Sequence, residues 1–371
     1  MNILVANIPL PGNRFLVDLN SSLSRYAQVT HSSDTFWKME GDFDLVHLHF
    51  PEYLTYEIQD AYRNGLTDSL IDQVAERLRF WADKARIVVT RHVLLPHDAV
   101  SDPMWERMYE TVYAHADGVV HFGEPSIKEF RMRYGQTDFH RGRSPAHIIV
   151  PHQNYASLPS GISRTEARRK LGIPEEVQVM LVFGAIRSAE ERDLILSTFK
   201  ALSGRKVLLA SKWREEPANV AWIRLQRWIR NAKRLYYKVH PSYRFNYSFV
   251  NEEDAQTYLE AADVLFIPRL RVLNSGNIAL GMTFGRVVVG PDSLDVGDLL
   301  ASTGNPVFDP DRSETASIAM MEGFRLAAEG RVGPANRQLA LSQWDVVDCA
   351  AAYYRFFEEL TGSEAATGIL T

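Results

Sequence analysis

The sequence predicts an α/β protein built from two doubly wound parallel-sheet domains in tandem. At 371 residues the chain is longer than one ordinary core requires. Short apolar runs alternate with amphipathic stretches of helical period, and this alternation starts a second time near residue 178. The runs are almost continuously apolar, which is typical of parallel strands covered on both faces. We therefore expect two Rossmann-like domains that face each other across a cleft.

In the first half, five apolar runs are predicted as strands and the segments between them as helices. The strands are NILVAN (2–7), DLVHLHF (44–50), RIVVTRH (86–92), GVVHFG (118–123) and HIIVPH (147–152). Helical periodicity is clear at 67–83 and 103–116. The irregular polar stretch QNYASLPSGIS (153–163) is predicted as a linker after a first domain at 1–152.

The second half repeats the pattern and defines a domain predicted at 164–342. Its strands are QVMLVFGAI (178–186), KVLLAS (206–211), YSFV (247–250), DVLFIP (263–268), RVVVGP (286–291) and NPVFDP (305–310). An amphipathic helix follows at about 343–361, and we expect the segment 343–371 to pack back toward the first domain.

Composition favours a globular protein of the cytoplasm. Apolar residues make up 46% of the chain and charged residues 23%. No apolar run approaches the roughly 20 residues needed to cross a bilayer, and the N-terminus lacks the basic region of a signal peptide. Cys349 is the only cysteine, and no Cys/His cluster has the spacing of a zinc site. We expect no bound metal.

A basic segment stands out in this acidic protein. Residues 205–246 contain 11 Lys/Arg and two acidic residues, a local charge of +9 that leaves about −14 elsewhere. Tryptophans and arginines interleave at helical spacing within 219–247. This block is interpreted either as a surface helix packed on the second domain or as a peripheral contact with an anionic membrane at its inner face. Nucleic acid is not expected, since no recognised binding module is present.

A cluster of small polar residues lies where a helix is predicted to begin. Asn274, Ser275, Gly276 and Asn277 follow the strand-like VLFIP and precede IALGMTF. One interpretation is that Asn274 or Ser275 caps the helix. The other is that the helix N-terminus, with its unpaired N–H groups and partial positive charge, binds an anion.

Taken in order, several segments resemble the GT-B retaining glycosyltransferases, specifically the GT4-type family of bacterial polysaccharide synthesis. The segments are VPHQNY (150–155), ISRTEARRKLGIPEEVQVMLVFGAIR (162–187), FVNEEDAQTYLEAADVLFIP (249–268), VLNSGNIALGMTFGRVVVGPD (272–292), TRHVLLPHD (90–98) and the terminal SQWDVVDCAAAYYRFF. The resemblance covers nearly the whole chain. It implies transfer of a sugar from a nucleotide-diphosphate donor to a glycan or lipid-linked acceptor, with retention and without a metal cofactor.

The resemblance also implies a donor site in the second domain. It assigns the loop at 274–277 to the donor diphosphate. Arg187 and Lys212 each lie at a strand end, and they are interpreted either as cations that pair with the phosphate oxygens or as ordinary surface charges. In the first domain, Gly12 and Asn13 match the family's glycine loop, although Pro-Gly-Asn alone indicates a turn.

His92 is the candidate at the reaction centre. It matches the histidine of the family's Thr-x-His segment, which lies beside the donor sugar; the plainer interpretation is a hydrogen-bonded histidine at a strand end. His97, His121 and Glu124 follow strand ends and are assigned, from topology alone, to the acceptor side. His47, His49 and Glu52 have a metal-like pattern, but the resemblance argues against a metal there.

Two departures from the family pattern leave another function open. Glu190 stands where the family has a lysine, and a carboxylate would repel a diphosphate. Val272 and Leu280 stand where many relatives carry paired glutamates. The alternative is a non-catalytic GT-B module that binds a nucleotide or glycan or supports a partner transferase.

Overall fold

A computed structural model describes residues 1–10, 12–96, 102–213, 232, 234–248 and 250–362. The chain forms two compact units, each with one six-stranded parallel sheet and flanking helices. Unit 1 comprises Met1–Gln153 and Trp344–Thr371, and unit 2 comprises Asn154–Gln343. Most of the segment predicted as a linker, 154–163, is thus grouped with unit 2. The predicted fold class, two parallel-sheet α/β domains, is confirmed.

Unit 1 has the strand order β2-β1-β3-β4-β5-β6. Its strands are β1 (Asn2–Val5), β2 (Gln28–His31), β3 (Leu45–Leu48), β4 (Arg86–Thr90), β5 (Gly118–His121) and β6 (Ala146–Ile149). Its α-helices are α1 (Arg14–Leu23), α2 (Ser33–Lys38), α3 (Tyr56–Asn64), α4 (Asp68–Ala82), α5 (Pro103–Ala114), α6 (Glu124–Tyr134) and the last helix that the structure describes, α14 (Val346–Gly362). Since β1 is flanked by β2 and β3, the chain reverses its direction across the sheet between β1 and β3.

Unit 2 repeats this arrangement with the order β12-β11-β10-β7-β8-β9. Its strands are β7 (Gln178–Ala185), β8 (Lys206–Lys212), β9 (Tyr243–Phe245), β10 (Val264–Phe266), β11 (Val287–Pro291) and β12 (Val307–Phe308). Its helices are α7 (Arg164–Leu171), α8 (Ala189–Ala201), α9 (Glu252–Ala261), α10 (Gly276–Thr283), α11 (Leu294–Ser302), α12 (Thr315–Glu329) and α13 (Val332–Gln343). Here the reversal falls between β7 and β10.

Two strands differ from the sequence-based expectations. The edge strand β2 was not predicted, because its sequence, QVTH, contains a single aliphatic residue and is not fully buried. The predicted strand at 247–250 is wrong, since Tyr247, Ser248 and Val250 lie outside strands and the strand is Tyr243–Phe245. Tyr243 is buried against Phe199, and this packing explains why the strand precedes the predicted segment in the sequence.

The last helix completes the core of unit 1. Tyr353, Phe356 and Phe357 of α14 are almost fully buried in the same cluster as Val88 and Val120 of the sheet. Burying each such side chain contributes about 1.5–3 kcal/mol. At the helix end, the carbonyl oxygen of Leu360 accepts a hydrogen bond from Arg86 Nε at 3.0 Å, and Gly118 leaves no room for a β-carbon beside Phe356.

Candidate functional site

The carboxyl edge of the unit 2 sheet brings two helix N-termini to one place. Strands β7 and β10 are direct neighbours, with Met180 opposite Val264. The chain leaves β7 to begin α8 and leaves β10 to begin α10, and these connections depart on opposite sides of the reversal point. Ligands of open parallel sheets bind at such points, and helix N-termini attract anions. This edge is therefore the candidate site of unit 2.

The N-cap residue of α10 does not cap the helix through its side chain. Ser275 is the N-cap and has extended backbone angles, yet its side chain makes no capping hydrogen bond. Asn277 instead donates through Nδ2 to the carbonyl oxygen of Phe183 in β7, at 2.9 Å. This bond ties the helix start to the end of the neighbouring strand. The Ile278 N–H donates to the carbonyl oxygen of Ser275 at 3.0 Å. The earlier N–H groups of a helix have no carbonyl partner within it, which makes the start of α10 a candidate anion site.

The end of β7 is shaped by a bulge. The register with β8 shifts between Val182 and Ala185, and Gly184 adopts a φ of +90°, where a side chain would be strained. The Gly184 N–H donates to Ser211 Oγ at 2.7 Å. Lys212 lies opposite Ala185 in the register, so this cation belongs to the same edge of the sheet as the start of α8.

The two glutamates after β7 belong to the first turn of α8. Ser188 is the N-cap and accepts from Glu191 N at 3.1 Å, while Glu191 Oε2 accepts from the backbone N–H of Arg187 at 2.9 Å. Carboxylates in a first turn are stabilised by the helix dipole. Glu190 is exposed beside them. Glu190, the residue that departs from the pattern of the resemblance, is thus an exposed residue of the first turn of α8.

Arg269 is a further candidate residue of this edge, which the sequence analysis did not identify. It follows β10, its side chain is 13% exposed, and its Nε lies 3.5 Å from Glu191 Oε1. Burial lowers the pKa of Arg269, and the charge of Glu191 acts in the opposite direction. The only signal in the sequence was an arginine just beyond a buried strand, and Arg271 has the same feature. Its pairing with Glu191 depends on the fold.

In unit 1, His92 belongs to a buried histidine cluster. It follows β4 and is 8% exposed, and its Nε2 lies 3.0 Å from Nδ1 of His49, which follows β3. The Phe50 ring stacks on it at 4.2 Å and Phe15 meets it edge-on at 5.0 Å. Burial holds the pKa of both histidines well below the usual range. Both are therefore neutral at pH 7 and act as hydrogen-bonding groups, not as cations.

His47 extends this cluster into the core. Its Nε2 is 2.8 Å from Thr90 Oγ1, and burial lowers the pKa of His47 to about 3. Glu52, the third residue of the metal-like pattern, accepts from the hydroxyl of Tyr109 at 2.7 Å. Among the residues that the structure describes, no group of three or more His, Cys, Asp or Glu side chains is arranged to hold a metal ion.

The remaining candidates of unit 1 do not gather around His92 in any described contact. Asn13 caps α1, with Oδ1 accepting from Leu16 N at 3.4 Å, and Gly12 is exposed beside it. His121 is fully buried, and its ring nitrogens contact Ser126 Oγ at 2.8 Å and His147 Nδ1 at 3.0 Å. Glu124 is exposed at the start of α6. His97 lies outside the described residues.

About half of the basic block at 219–247, residues 219–231 and 233, also lies outside the described residues. Of the part that is described, Leu235 and Val239 are exposed, whereas Tyr237 packs on Trp213. Within the described part of the chain, no helix is long and apolar enough to span a bilayer.

Comparison with solved structures identifies the architecture. No protein-family model matches the chain, and no curated protein matches its sequence. Sucrose-phosphate synthase from Thermosynechococcus elongatus is similar over 98% of this chain and 99% of its own, with 13% identity and a TM-score of 0.67. HepE from Anabaena, solved in complex with UDP-glucose, is similar over 97% and 100%, with 13% identity and a TM-score of 0.68.

A third similar structure is the trehalose-6-phosphate synthase of Burkholderia multivorans. It matches over 98% of this chain and 79% of its own, with 12% identity and a TM-score of 0.58. At such identities these likenesses show the fold alone. The fold of this chain is GT-B, as the resemblance implied.

Proposed function

We propose that this chain is a GT4-type glycosyltransferase that transfers a sugar from a nucleotide-diphosphate donor to a glycan or lipid-linked acceptor, with retention. The observation that supports this most strongly is the meeting of two helix N-termini at the reversal point of the unit 2 sheet, with Arg187, Lys212 and Arg269 on the loops and strand ends around them. A diphosphate is the donor group that such a site would bind. The proposed setting is surface polysaccharide or glycoconjugate synthesis in the cytoplasm, with 219–247 as a candidate contact with an anionic membrane.

The proposed chemistry uses hydrogen bonds and fixed charges. When the bond between sugar and phosphate breaks, negative charge grows on the leaving diphosphate, and donors already oriented toward it lower the barrier. The N–H groups at the start of α10 and the cations Arg187 and Lys212 would supply this stabilisation. His92, which is neutral, would hydrogen-bond a hydroxyl of the sugar being transferred. No step in this scheme requires a metal ion.

The non-catalytic alternative has one observation in its favour. Glu190 and Glu191 place two carboxylates at the start of α8, and Glu191 already neutralises Arg269. If these charges exclude a diphosphate, the protein would bind a glycan or a partner transferase instead. Nucleotide binding separates this alternative from the proposal.

A panel of UDP, GDP, ADP and dTDP is expected to contain one nucleotide that raises the melting temperature without magnesium. A ligand present at 100 times its dissociation constant adds about 2.7 kcal/mol to the free energy of unfolding, a shift that differential scanning fluorimetry detects readily. The matched monophosphates serve as controls and should stabilise less. If all four diphosphates leave the melting temperature unchanged, the donor site is absent and the non-catalytic alternative replaces the proposal.

Replacing His92 with alanine is expected to lower the rate of sugar transfer by about 10²- to 10⁴-fold, the usual contribution of a positioned acid, base or hydrogen-bonding group. Donor binding should be unchanged, because the diphosphate is bound by unit 2. The readouts are turnover of the donor and nucleotide affinity. His115→Ala is the matched control, since this partly buried histidine of unit 1 contacts the Thr111 carbonyl of its own helix and stacks on His140, both away from β3 and β4. Equal transfer rates in the two variants would remove His92 from the mechanism.

A further inference from the structure

The Arg269–Glu191 pair differs from the other buried arginine pairs of unit 2. Arg168 bonds to Asp263 at 2.9 Å and also donates to the backbone carbonyls of Ala261 and Val177, at 3.1 and 2.9 Å. These contacts leave little of its guanidinium unsatisfied, as expected of a buried structural charge.

Arg286 is satisfied in the same way. It bonds to Glu260 at 2.8 Å and donates to the carbonyl oxygens of Ala262 and Phe284, at 2.9 and 2.8 Å. Both structural arginines thus combine one close carboxylate with several carbonyl acceptors.

Arg269 has neither feature. Its nearest carboxylate oxygen is 3.5 Å away, and its buried Nε has no hydrogen-bond acceptor among the described residues. A buried donor without an acceptor is costly, and a buried charge more so. Nε therefore lacks the acceptor expected of a purely structural guanidinium, and a phosphate oxygen would supply it.

The surroundings of Arg269 favour a further anion. Its counterion Glu191 is in the first turn of α8, and the loop that carries Arg269 leads into α10. The N-terminus of each helix adds about half a positive charge. Glu191 supplies one negative charge to this set and also accepts the Arg187 N–H. Glu190 adds a second negative charge in the same turn, and the cations Arg187 and Lys212 at this edge of the sheet keep the local balance positive.

We propose that Arg269 binds the diphosphate of the donor and that Glu191 is its counterion only while the donor is absent. This inference rests on the proposed function and deepens it, because it names the cation that takes the place of the family's missing lysine. On binding, phosphate oxygens replace Glu191 Oε1 near the guanidinium. Glu191 remains held through Oε2 by the Arg187 N–H and through its own N–H by Ser188, so the exchange leaves it paired.

The test compares three single variants in the full-length chain by isothermal titration calorimetry with UDP, GDP, ADP and dTDP. Arg269→Gln is expected to weaken the best diphosphate about ten- to a hundredfold, the usual worth of a hydrogen bond to a charged group, and to weaken its monophosphate less. Glu191→Gln keeps an acceptor for Arg187 but removes the competing charge, so affinity should rise about three- to tenfold. Arg271→Gln, an exposed arginine of the same loop, is the matched control and should change affinity less than twofold.

The outcomes separate this inference from the proposed function. If the parent protein binds a diphosphate and Arg269→Gln binds it equally well, Arg269 is not the phosphate ligand although the donor site stands. Weaker binding by Glu191→Gln would also overturn the inference, because it would make the carboxylate a positive contributor. If the parent protein binds no diphosphate, both proposals fail. Should Arg269→Gln unfold, as circular dichroism would show, Arg269→Lys and Glu191→Gln decide the question.

Discussion

Lowering the pH from about 7.5 to about 5.5 is expected to destabilise unit 1 by about 5 kcal/mol and to leave unit 2 nearly unchanged. The cause is the distribution of histidine. Ten of the eleven histidines lie within the chain segments of unit 1, and His240 is the exception. Four of the ten, His47, His49, His92 and His121, are buried.

The sign of this change in stability follows from the pKa values of the four histidines in the folded and the unfolded protein. Burial lowers the pKa of His47 to about 3 and of His121 to about 2, and it places the pKa of His49 and His92 well below the usual range. In the unfolded chain each has a pKa near about 6.5. Below that value the unfolded chain binds more protons, so the stability present at neutral pH falls as the pH falls toward the folded values. The contribution of each histidine to the free energy of unfolding falls by about 1.4 kcal/mol by about pH 5.5.

Hydrogen exchange measured by mass spectrometry at both pH values, with labelling times corrected for the intrinsic rate, tests this expectation. Peptides of β3, β4 and β5 should lose protection at the lower pH, while those of β7, β8 and β10 serve as the internal control. A typical domain is stable by about 5–15 kcal/mol, so the change should be large. Equal loss of protection in both units would mean that buried histidines are not the cause.

Replacing Gly276 with valine is expected to reduce affinity for the best nucleoside diphosphate by at least about a hundredfold. Gly276 is the first residue of α10, and helical side chains lean toward the N-terminus. A branched side chain would therefore stand over the N–H groups that are proposed to meet the phosphate. The glycine does not occupy the left-handed region, and valine is a better helix former, so the fold should persist.

Gly161→Val is the matched control for this variant. Gly161 is exposed in unit 2, a β-carbon there meets nothing within 4 Å, and its backbone is also outside the left-handed region. Calorimetric titration of both variants with the same nucleotide gives the comparison. Equal affinities would place the diphosphate away from the start of α10.

The sequence predicted most of the fold because the buried strands carry strong local signals. All but one of the predicted strand runs overlap an observed strand, since runs such as VVVGP are apolar along their whole length. The exceptions lie at sheet edges. β2 has little apolar character, and β9 is three residues long and was confused with the nearby YSFV.

Part of the candidate site could also be recognised from the local sequence. The four small residues at 274–277 indicated the start of α10, and Asn277 of this group bonds to the carbonyl oxygen of Phe183. The Arg269–Glu191 and His49–His92 contacts could not be predicted from the local sequence, because each joins residues that follow different strands. Their proximity depends on strand order, which a single sequence does not specify.

The interleaving of the two units along the chain has a consequence for synthesis. Tyr353, Phe356 and Phe357 belong to the core of unit 1, whereas unit 2 ends at Gln343. A ribosome makes the N-terminal sheet first, but that sheet lacks the aromatic side chains that cover one of its faces until the last helix emerges. Unit 2, although translated second, has all of its own residues earlier. Unit 2 is therefore expected to fold before unit 1, the reverse of the order of translation. Residues Met1–Gln153 complete their core only after α14 has been synthesised.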